Sequence, residues 1–167
     1  MKILVGPLEQ VASLCLEHRP SHLVSWLSPP ADWPQPPAQM QLLRLASHDV
    51  VEPGEGFEPP AAEHVARLLA FAQDWSGERP LLVHCWAGVS RSTAAAFTIA
   101  CAKRPDLAEL ELARRLREAA PSATPNPLII ALADAALGRD GRMRAAVAAI
   151  GRGCATELGT PFALDLH

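Results

Sequence analysis

Residues 81–93 read Leu81-Leu82-Val83-His84-Cys85-Trp86-Ala87-Gly88-Val89-Ser90-Arg91-Ser92-Thr93. This segment begins with three apolar residues that follow a break marked by Gly77 and Pro80, which is typical of a short buried strand. Ser92 then opens an alanine-rich run that continues to Ala102 and is typical of a helix. The sequence therefore predicts a strand, a tight loop and a helix, in that order.

The predicted loop carries one cysteine and one arginine, Cys85 and Arg91, six positions apart. A loop of this length that ends at a helix N-terminus points its backbone N–H groups toward a common centre, which can bind a tetrahedral anion. Cys85 lies at the bottom of this nest, where the helix dipole, the N–H groups and the Arg91 charge all favour its thiolate form. The pattern indicates a nucleophilic cysteine in an anion site, and a buried structural cysteine is the less specific alternative.

This motif resembles the signature of a known enzyme family. The pattern His84-Cys85-x5-Arg91-Ser92 resembles the signature loop of the cysteine-dependent protein tyrosine phosphatases. The form Ala87-Gly88-x-Ser90-Arg91-Ser92 is most similar to the dual-specificity branch, here in a small, bacterial-type single domain. The resemblance continues more weakly over residues 42–130. It implies a phosphatase that works through a phosphocysteine intermediate and needs neither a metal nor another cofactor.

Each residue of the loop has a candidate role. A thiolate at Cys85 can attack phosphorus, and the Arg91 guanidinium can give two parallel hydrogen bonds to two phosphate oxygens. The Ser92 hydroxyl can donate to the Cys85 sulfur and ease departure of the thiolate, or it can serve only as a helix cap. The resemblance gives His84 the role of orienting the loop and helping to hold the cysteine ionised, although a simple buried histidine fits equally well. Phosphate oxygens are expected to bind along the backbone of Trp86, Ala87, Gly88, Val89, Ser90 and Arg91.

The reaction also needs a carboxylic acid that protonates the leaving oxygen. The resemblance implies an aspartate some thirty-odd residues before the cysteine. Asp49 lies 36 residues before Cys85, at the end of a predicted strand, and is the candidate general acid and base. A turn residue at a strand end is the structural alternative for this aspartate. The competing acids on the following loop are Glu52, Glu55 and Glu58.

Three further residues are weaker candidates for the site. Asp32, in Asp32-Trp33-Pro34, lies 53 residues before the cysteine, and its order differs from the Trp-Pro-Asp loop of the tyrosine-specific branch. Asn126, in Pro125-Asn126, is similar to a Pro-Asn that follows the active-site helices in the resembling family, but a helix N-cap before Pro127 explains it fully. Cys101 lies ten residues beyond Arg91 on the predicted helix, where a core position explains it better than a redox role.

The order of predicted elements indicates an α/β fold. A central, mainly parallel sheet flanked by helices is expected, with the anion loop between a strand and a helix at the carboxyl edge of the sheet. Residues 1–150 form the predicted phosphatase domain, and residues 151–167 a poorly ordered C-terminal tail. The proline cluster predicts an extended loop over residues 28–37. Strands are predicted at 3–5, 22–27, 40–45 and 81–83, and helices at 9–17, 61–75, 92–103, 107–120, 127–137 and 142–150.

Composition narrows the possible partners. The chain has 167 residues, of which 49% are hydrophobic and 20% charged, as in one globular domain with a sizeable core. A net charge of -3 gives no indication of a basic surface, so neither nucleic acid nor an anionic membrane surface is an expected partner. The short apolar run after Met1 is broken by Gly6 and Pro7, which disfavours a signal peptide, and a cytoplasmic location is expected. Four cysteines without regular spacing indicate neither a zinc site nor a disulfide framework.

The expected substrate is a phosphorylated protein or a small phosphomonoester. The loop interior, residues 86–90, contains no lysine, which disfavours a polyanionic lipid head group. Trp86 and the loop around Trp33 suit an aryl ester such as phosphotyrosine, and pocket depth decides whether phosphoserine and phosphothreonine also fit. Two alternatives stay open: a phosphate-recognising binding module without turnover, and a rhodanese-like or Cdc25-like enzyme, which also uses Cys-x5-Arg.

Overall fold

A five-stranded sheet forms the centre of the computed structural model, which describes residues 1–167. The strands are β1 (Lys2–Pro7), β2 (His22–Leu27), β3 (Gln41–Ala46), β4 (Leu81–Cys85) and β5 (Phe162–Asp165). Their spatial order is β3-β2-β4-β1-β5. The first four strands are mutually parallel, and β5 runs antiparallel to β1 at the edge. The predicted mainly parallel α/β sheet is confirmed.

Six α-helices cover the two faces of this sheet. They are α1 (Val11–His18), α2 (Ala62–Asp74), α3 (Arg91–Lys103), α4 (Glu109–Ala119), α5 (Pro127–Ala136) and α6 (Arg142–Ile150). Each predicted helix is present, with ends that differ by at most two residues, apart from a 3-10 turn at Leu8–Gln10 that precedes α1. None of the helices has both the length and the apolar character needed to cross a bilayer.

Alternation along the strands divides the apolar side chains between two cores. In β4, Leu81 and Val83 contribute to a core of 31 buried residues that also contains side chains from α2 to α6. Leu82, between them, belongs to a smaller core of six residues beneath α1. Because β4 is covered on both faces, it reads as an uninterrupted apolar run in the sequence.

Helix α3 is buried along nearly its whole length and sits centrally in the larger core. Every residue from Arg91 to Cys101 is buried, and the alanines of the helix allow the surrounding elements to approach closely. The sequence predicted this burial, because the segment is apolar nearly all round. The helix therefore gives the loop that precedes it a rigid base.

The prediction of a poorly ordered tail over residues 151–167 is wrong. Residues Phe162–Asp165 form β5 and pair with β1, and the side chains of Leu164 and Leu166 are buried. The N–H of Gly159 donates to the Ala87 carbonyl at 2.8 Å, which ties this segment to the predicted anion loop. A four-residue strand after an exposed polar stretch gives too short a pattern to be recognised, since its pairing partner lies at the other end of the chain.

Candidate active site

A cavity of about 660 Å³ opens at the carboxyl end of β4. Ligands of open α/β sheets bind at this edge, where the strands end and the loops begin. The cavity is lined mainly by the anion loop and by the proline-rich segment after β2. Asp49, the predicted general acid, lies after β3 and also lines the cavity. The lining residues are Leu8, Leu27, Ser28, Pro29, Pro30, Ala31, Asp32, Asp49, Cys85, Trp86, Ala87, Val89, Ser90, Arg91 and Thr156.

Cys85 is the last residue of β4 and only 2% exposed. Its sulfur accepts a hydrogen bond from the backbone N–H of Gly88 at 3.3 Å and lies 3.1 Å from the hydroxyl oxygen of Ser92. In the thiolate form the sulfur can only accept, so the Ser92 hydroxyl then donates to it. Both contacts favour a negatively charged sulfur, as does the N-terminus of α3 directly behind the loop.

The loop is held from outside through its carbonyl groups. Backbone N–H groups from three other segments donate to four loop carbonyls: Leu8 to Trp86 at 3.1 Å, Gly159 to Ala87 at 2.8 Å, Thr124 to Val89 at 3.0 Å and Asn126 to Ser90 at 3.4 Å. In a planar trans peptide, the C=O and the N–H that follows it point in opposite directions. Since the loop carbonyls point away from the cavity toward the surrounding segments, the N–H groups of the same peptides point toward the cavity. The arrangement is an anion nest.

Gly88 is the one position in the loop that only glycine can occupy. Its φ angle is +72°, and a Cβ added there would lie 2.7 Å from both the Gly6 carbonyl carbon and the Pro7 nitrogen. Both the backbone conformation and the contact with the end of β1 therefore exclude a side chain. The loop consequently packs backbone against backbone on the strand beside β4.

Arg91, the first residue of α3, is only 4% exposed. Its Nη1 donates to the Ser47 carbonyl at 2.6 Å and to the Ser28 hydroxyl at 3.0 Å. Its Nε is buried without a hydrogen-bond partner, and Nη2 makes no hydrogen bond to the protein. A buried donor without a partner costs about 1–3 kcal/mol. The guanidinium is thus anchored through Nη1, whereas its Nε has no partner within the protein.

Asp49 follows β3 and is exposed at the mouth of the cavity. Its Oδ1 accepts hydrogen bonds from the Ser90 hydroxyl and from Nδ2 of Asn126, both at 2.8 Å. Its Oδ2 accepts no hydrogen bond from the protein, so this oxygen is the one that can carry a proton. The carboxyl group is therefore held beside the loop by two donors.

Asn126 is the residue whose contribution the sequence analysis missed. Its Oδ1 accepts from the N–H groups of Leu128 and Ile129 at the start of α5, as the predicted N-cap requires. The Nδ2 of the same amide donates to Asp49, 77 residues earlier in the chain. One signal was present in the sequence: an asparagine cap keeps a free NH₂ group, whereas a serine, threonine or aspartate cap does not.

Among the other candidate acids, those that line the cavity are not the ones that the sequence favours. Glu52, Glu55 and Glu58, proposed as competitors of Asp49, are exposed and do not line the cavity. Asp32, which was set aside because of its sequence distance, does line it. The proline-rich segment forms one wall of the cavity and carries Asp32 to it. Trp33 does not line the cavity; the Arg44 guanidinium carbon lies over the Trp33 ring, 5.7 Å from the ring centre.

His84 is fully buried beneath the loop. Its Nε2 lies 2.7 Å from the Ser25 hydroxyl oxygen and its Nδ1 lies 3.2 Å from the Cys85 carbonyl oxygen. Burial lowers the pKa of His84 from 6.5 to about 4, so the ring is neutral at pH 7. The ring can orient the backbone of Cys85, as predicted, but the expectation that it also helps to hold the cysteine ionised gains no support, since it adds no positive charge.

Solved structures with the same architecture were found, although no family model and no curated protein matches the sequence. Human DUSP28 superposes with a TM-score of 0.64 at 20% identity, covering 83% of this chain and 94% of that chain. DUSP15 gives 0.63 at 19% identity, covering 89% of each chain. PTPMT1 in complex with PI(5)P gives 0.61 at 14% identity, covering 83% of this chain and 94% of that chain. The chain has the dual-specificity phosphatase fold.

The dual-specificity phosphatase fold agrees with the resemblance drawn from residues 84–92, which is confirmed at the level of architecture. The four predicted catalytic residues are brought to one cavity by this fold: Cys85, Arg91 and Asp49 line it, and Ser92 contacts the cysteine sulfur. The cavity is also lined by all the predicted phosphate-binding loop residues except Gly88. The catalytic roles of these residues stay predictions. What the phosphatase fold adds is the means by which distant segments hold them in place.

The neutral state of His84 predicts a pH dependence of stability for this phosphatase fold. The native pKa of about 4 lies below the unfolded value of 6.5, so the unfolded chain binds more protons between these limits. Stability is therefore complete above about pH 6.5 and falls as the pH is lowered toward 4. We expect the free energy of unfolding to be about 2 kcal/mol lower at pH 5 than at pH 7, measured by urea titration.

The variant His84→Gln is the control for this expectation, because burial also lowers the pKa of His22. In the variant, the free energy of unfolding should still change between pH 5 and pH 7 by the part that His22 contributes. Most of the remaining change in the free energy of unfolding should be lost. An equal pH dependence in the wild type and the variant would contradict the assignment to His84.

Proposed function

We propose that the chain is a phosphomonoester hydrolase of the protein tyrosine and dual-specificity phosphatase type, acting through a phosphocysteine intermediate. One observation carries the proposal: the cavity that contains the Cys85 sulfur also contains a buried arginine whose Nε has no partner. A guanidinium edge of this kind matches two oxygens of a phosphate group. The nest of inward N–H groups supplies donors for the remaining oxygens.

In the first step, the phosphate group of the substrate binds to the loop N–H groups and to the free edge of Arg91. The Cys85 thiolate attacks phosphorus, an S–P bond forms, and the P–O bond to the leaving group breaks. The leaving oxygen takes its proton from Asp49. The two hydrogen bonds to Oδ1 support this role, because they orient the carboxyl group and leave Oδ2 free for the proton.

In the second step, water attacks the phosphocysteine and the S–P bond breaks. Asp49, now a carboxylate, accepts the proton of the attacking water, which restores its acid form for the next turnover. The sulfur leaves as a thiolate, and the Ser92 hydroxyl at 3.1 Å can donate a hydrogen bond to it. Inorganic phosphate then departs from the nest.

A phosphorylated protein is the substrate class that the cavity favours. PTPMT1 was solved in complex with PI(5)P, so this fold can accommodate a phosphoinositide. In the present chain, loop residues 86–90 carry no basic side chain, and Arg91 is the only cation that lines the cavity. Asp32 and Asp49 stand at the same cavity, where they would repel the additional phosphates of a polyphosphorylated head group.

Hydrolysis was weighed against the two alternatives. The presence of Cys85, Arg91 and Asp49 at one cavity supports turnover over a binding module that has lost it. The likeness to dual-specificity phosphatase structures supports phosphoryl transfer over rhodanese-like or Cdc25-like chemistry.

The direct test is hydrolysis of para-nitrophenyl phosphate by the purified protein in the presence of EDTA and a thiol reductant. We expect saturable release of para-nitrophenolate, inhibited by vanadate and by inorganic phosphate. A protein that is folded but inactive under these conditions would contradict the proposal. Transfer of sulfur from thiosulfate to cyanide by the same preparation would favour the rhodanese-like alternative.

Replacing Asp49 with asparagine tests the assignment of the general acid. General acids typically contribute about 10²- to 10⁴-fold, and the contribution grows with the basicity of the leaving group. We therefore expect kcat for phenyl phosphate to fall by about 10²-fold or more in Asp49→Asn. The loss for para-nitrophenyl phosphate should be much smaller, because its leaving group needs little protonation.

The matched variant is Asp32→Asn, which removes the other carboxylate of the cavity. It should leave the ratio of the two substrates close to that of the wild type. If Asp32→Asn shows the leaving-group dependence and Asp49→Asn does not, the acid is Asp32 and our assignment is wrong.

A further inference from the structure

A second, shallower groove of about 520 Å³ adjoins the phosphate cavity. Its lining consists of Leu8, Glu9, Trp86, Glu157 and Leu158. Leu8 and Trp86 line both the groove and the cavity, so the two are continuous across the Trp86 side chain. A chain bound with one residue in the cavity would therefore pass directly into the groove.

Three of the five residues that line the groove are apolar. Trp86 is 67% exposed and Leu158 is 41% exposed, and these are two of only five large hydrophobic side chains that the protein leaves exposed. Two such residues beside a cavity are a feature of interaction sites. The backbone that carries them is fixed, because Leu8 donates to the Trp86 carbonyl and Gly159 donates to the Ala87 carbonyl.

The charged side chains of the groove are both acidic. Glu9 and Glu157 are exposed, and neither carboxylate forms an ion pair or a hydrogen bond within the protein. No lysine or arginine lines the groove. A groove lined by apolar side chains and by two unpaired carboxylates is complementary to a segment that carries one apolar and one basic side chain, and it repels an anionic one.

We propose that this groove binds the residues that flank the phosphorylated residue of a peptide substrate and selects for an apolar residue accompanied by a basic one. The inference rests on the proposed function, because it takes the adjoining cavity to be the site of the phosphorylated residue. Trp86 and Leu158 contact the apolar side chain, and Glu9 and Glu157 contact the basic one. The segment after α6 thus contributes to specificity, through Glu157 and Leu158.

The test compares two phosphotyrosine peptides that share a leucine beside the phosphotyrosine and differ only in an adjacent arginine or glutamate. We expect kcat/KM to be about fivefold higher for the arginine peptide, the size expected of a basic side chain between two exposed carboxylates. The double variant Glu9→Gln/Glu157→Gln should lose this preference. Hydrolysis of para-nitrophenyl phosphate, which has no flanking residues, should be unchanged in the variant.

The control variant is Glu78→Gln/Glu118→Gln, which removes two exposed carboxylates away from both cavities. It should keep the preference for the arginine peptide. Leu158→Ala should lower kcat/KM for both peptides and leave para-nitrophenyl phosphate unaffected. Equal rates for the two peptides in the wild type would overturn the inference, as would faster hydrolysis of short-chain phosphatidylinositol 5-phosphate than of the arginine peptide.

Binding separates this inference from the proposed function. Fluorescence anisotropy with the same two labelled peptides, measured in a Cys85→Ser background, reports the preference without turnover. If para-nitrophenyl phosphate is not hydrolysed but the arginine peptide binds more tightly, and the double variant abolishes that difference, the groove is supported and the hydrolase proposal fails. If para-nitrophenyl phosphate is hydrolysed and neither rate nor binding distinguishes the peptides, the groove inference fails alone.

Discussion

Replacing Cys85 with serine is expected to lower turnover of para-nitrophenyl phosphate by about 10⁴-fold or more, as loss of a covalent nucleophile does in other enzymes. The sulfur of a cysteine can act as the attacking nucleophile in this nest, whereas a serine hydroxyl is a far weaker nucleophile. The nest itself should survive the exchange, because it is built from backbone groups and from Arg91. The variant should therefore bind phosphate and fail to form the covalent intermediate.

Two measurements make this expectation specific. Steady-state hydrolysis gives the loss of turnover, and the shift of the unfolding temperature with added phosphate or vanadate reports whether the nest remains. Cys154→Ser is the matched control, since this cysteine is exposed and does not line the cavity, and it should retain full activity. If Cys85→Ser remains active, the phosphocysteine mechanism is excluded.

The strand-loop-helix unit around Cys85 could be predicted because its information is local. An apolar run, a loop with Cys85 and Arg91, and an alanine-rich helix follow one another within about two dozen residues, so periodicity and composition suffice. The same holds for α2, α4 and α5, whose patterns fixed their ends within two residues. The architecture followed from the order of these elements.

The contacts that complete the site could not be predicted, because they join segments far apart in the chain. Asp32 was set aside on sequence distance, yet the path of the proline-rich segment brings it to the cavity. The Nδ2 of Asn126 reaches Asp49 across 77 positions, and Gly159 supports the loop from a segment expected to be disordered. The residue types in a sequence indicate which chemistry is possible, whereas the tertiary structure determines which side chains and backbone groups come into contact.

The charge state of His84 is a further case in which the environment decides. The family resemblance implies that His84 orients the loop and helps to hold Cys85 ionised, and a simple buried histidine fits the sequence equally well. Complete burial, and to a lesser extent the nearby Arg91 charge, lower the pKa of His84 and make the neutral ring the stable form. Arg91, the backbone N–H groups, the Ser92 hydroxyl and the N-terminus of α3 are then the groups that favour the thiolate. Arg91 is the one full positive charge among them, which makes the arginine the second decisive test.

Replacing Arg91 with lysine is expected to lower kcat/KM for para-nitrophenyl phosphate by about 10²- to 10³-fold, the usual cost of one preorganised donor to a transition state. Since lysine keeps the positive charge, a loss of kcat/KM measures the effect of losing the planar arrangement of guanidinium donors. The guanidinium uses Nη1 to bind the Ser47 carbonyl and the Ser28 hydroxyl, and its Nε–Nη2 edge is the part that we propose binds phosphate. A single ammonium group cannot occupy both positions.

The matched control is Arg139→Lys. Arg139 is also a guanidinium with a buried, unpartnered Nε, but it binds Glu109 and the Cys101 carbonyl away from the cavity. Its replacement should lower the free energy of unfolding and leave kcat/KM unchanged. Arg91→Lys should show the reverse: a loss of kcat/KM and of stabilisation by phosphate that exceeds any change in unfolding. If both variants lose only stability, the free edge of Arg91 is a packing feature and binds no phosphate.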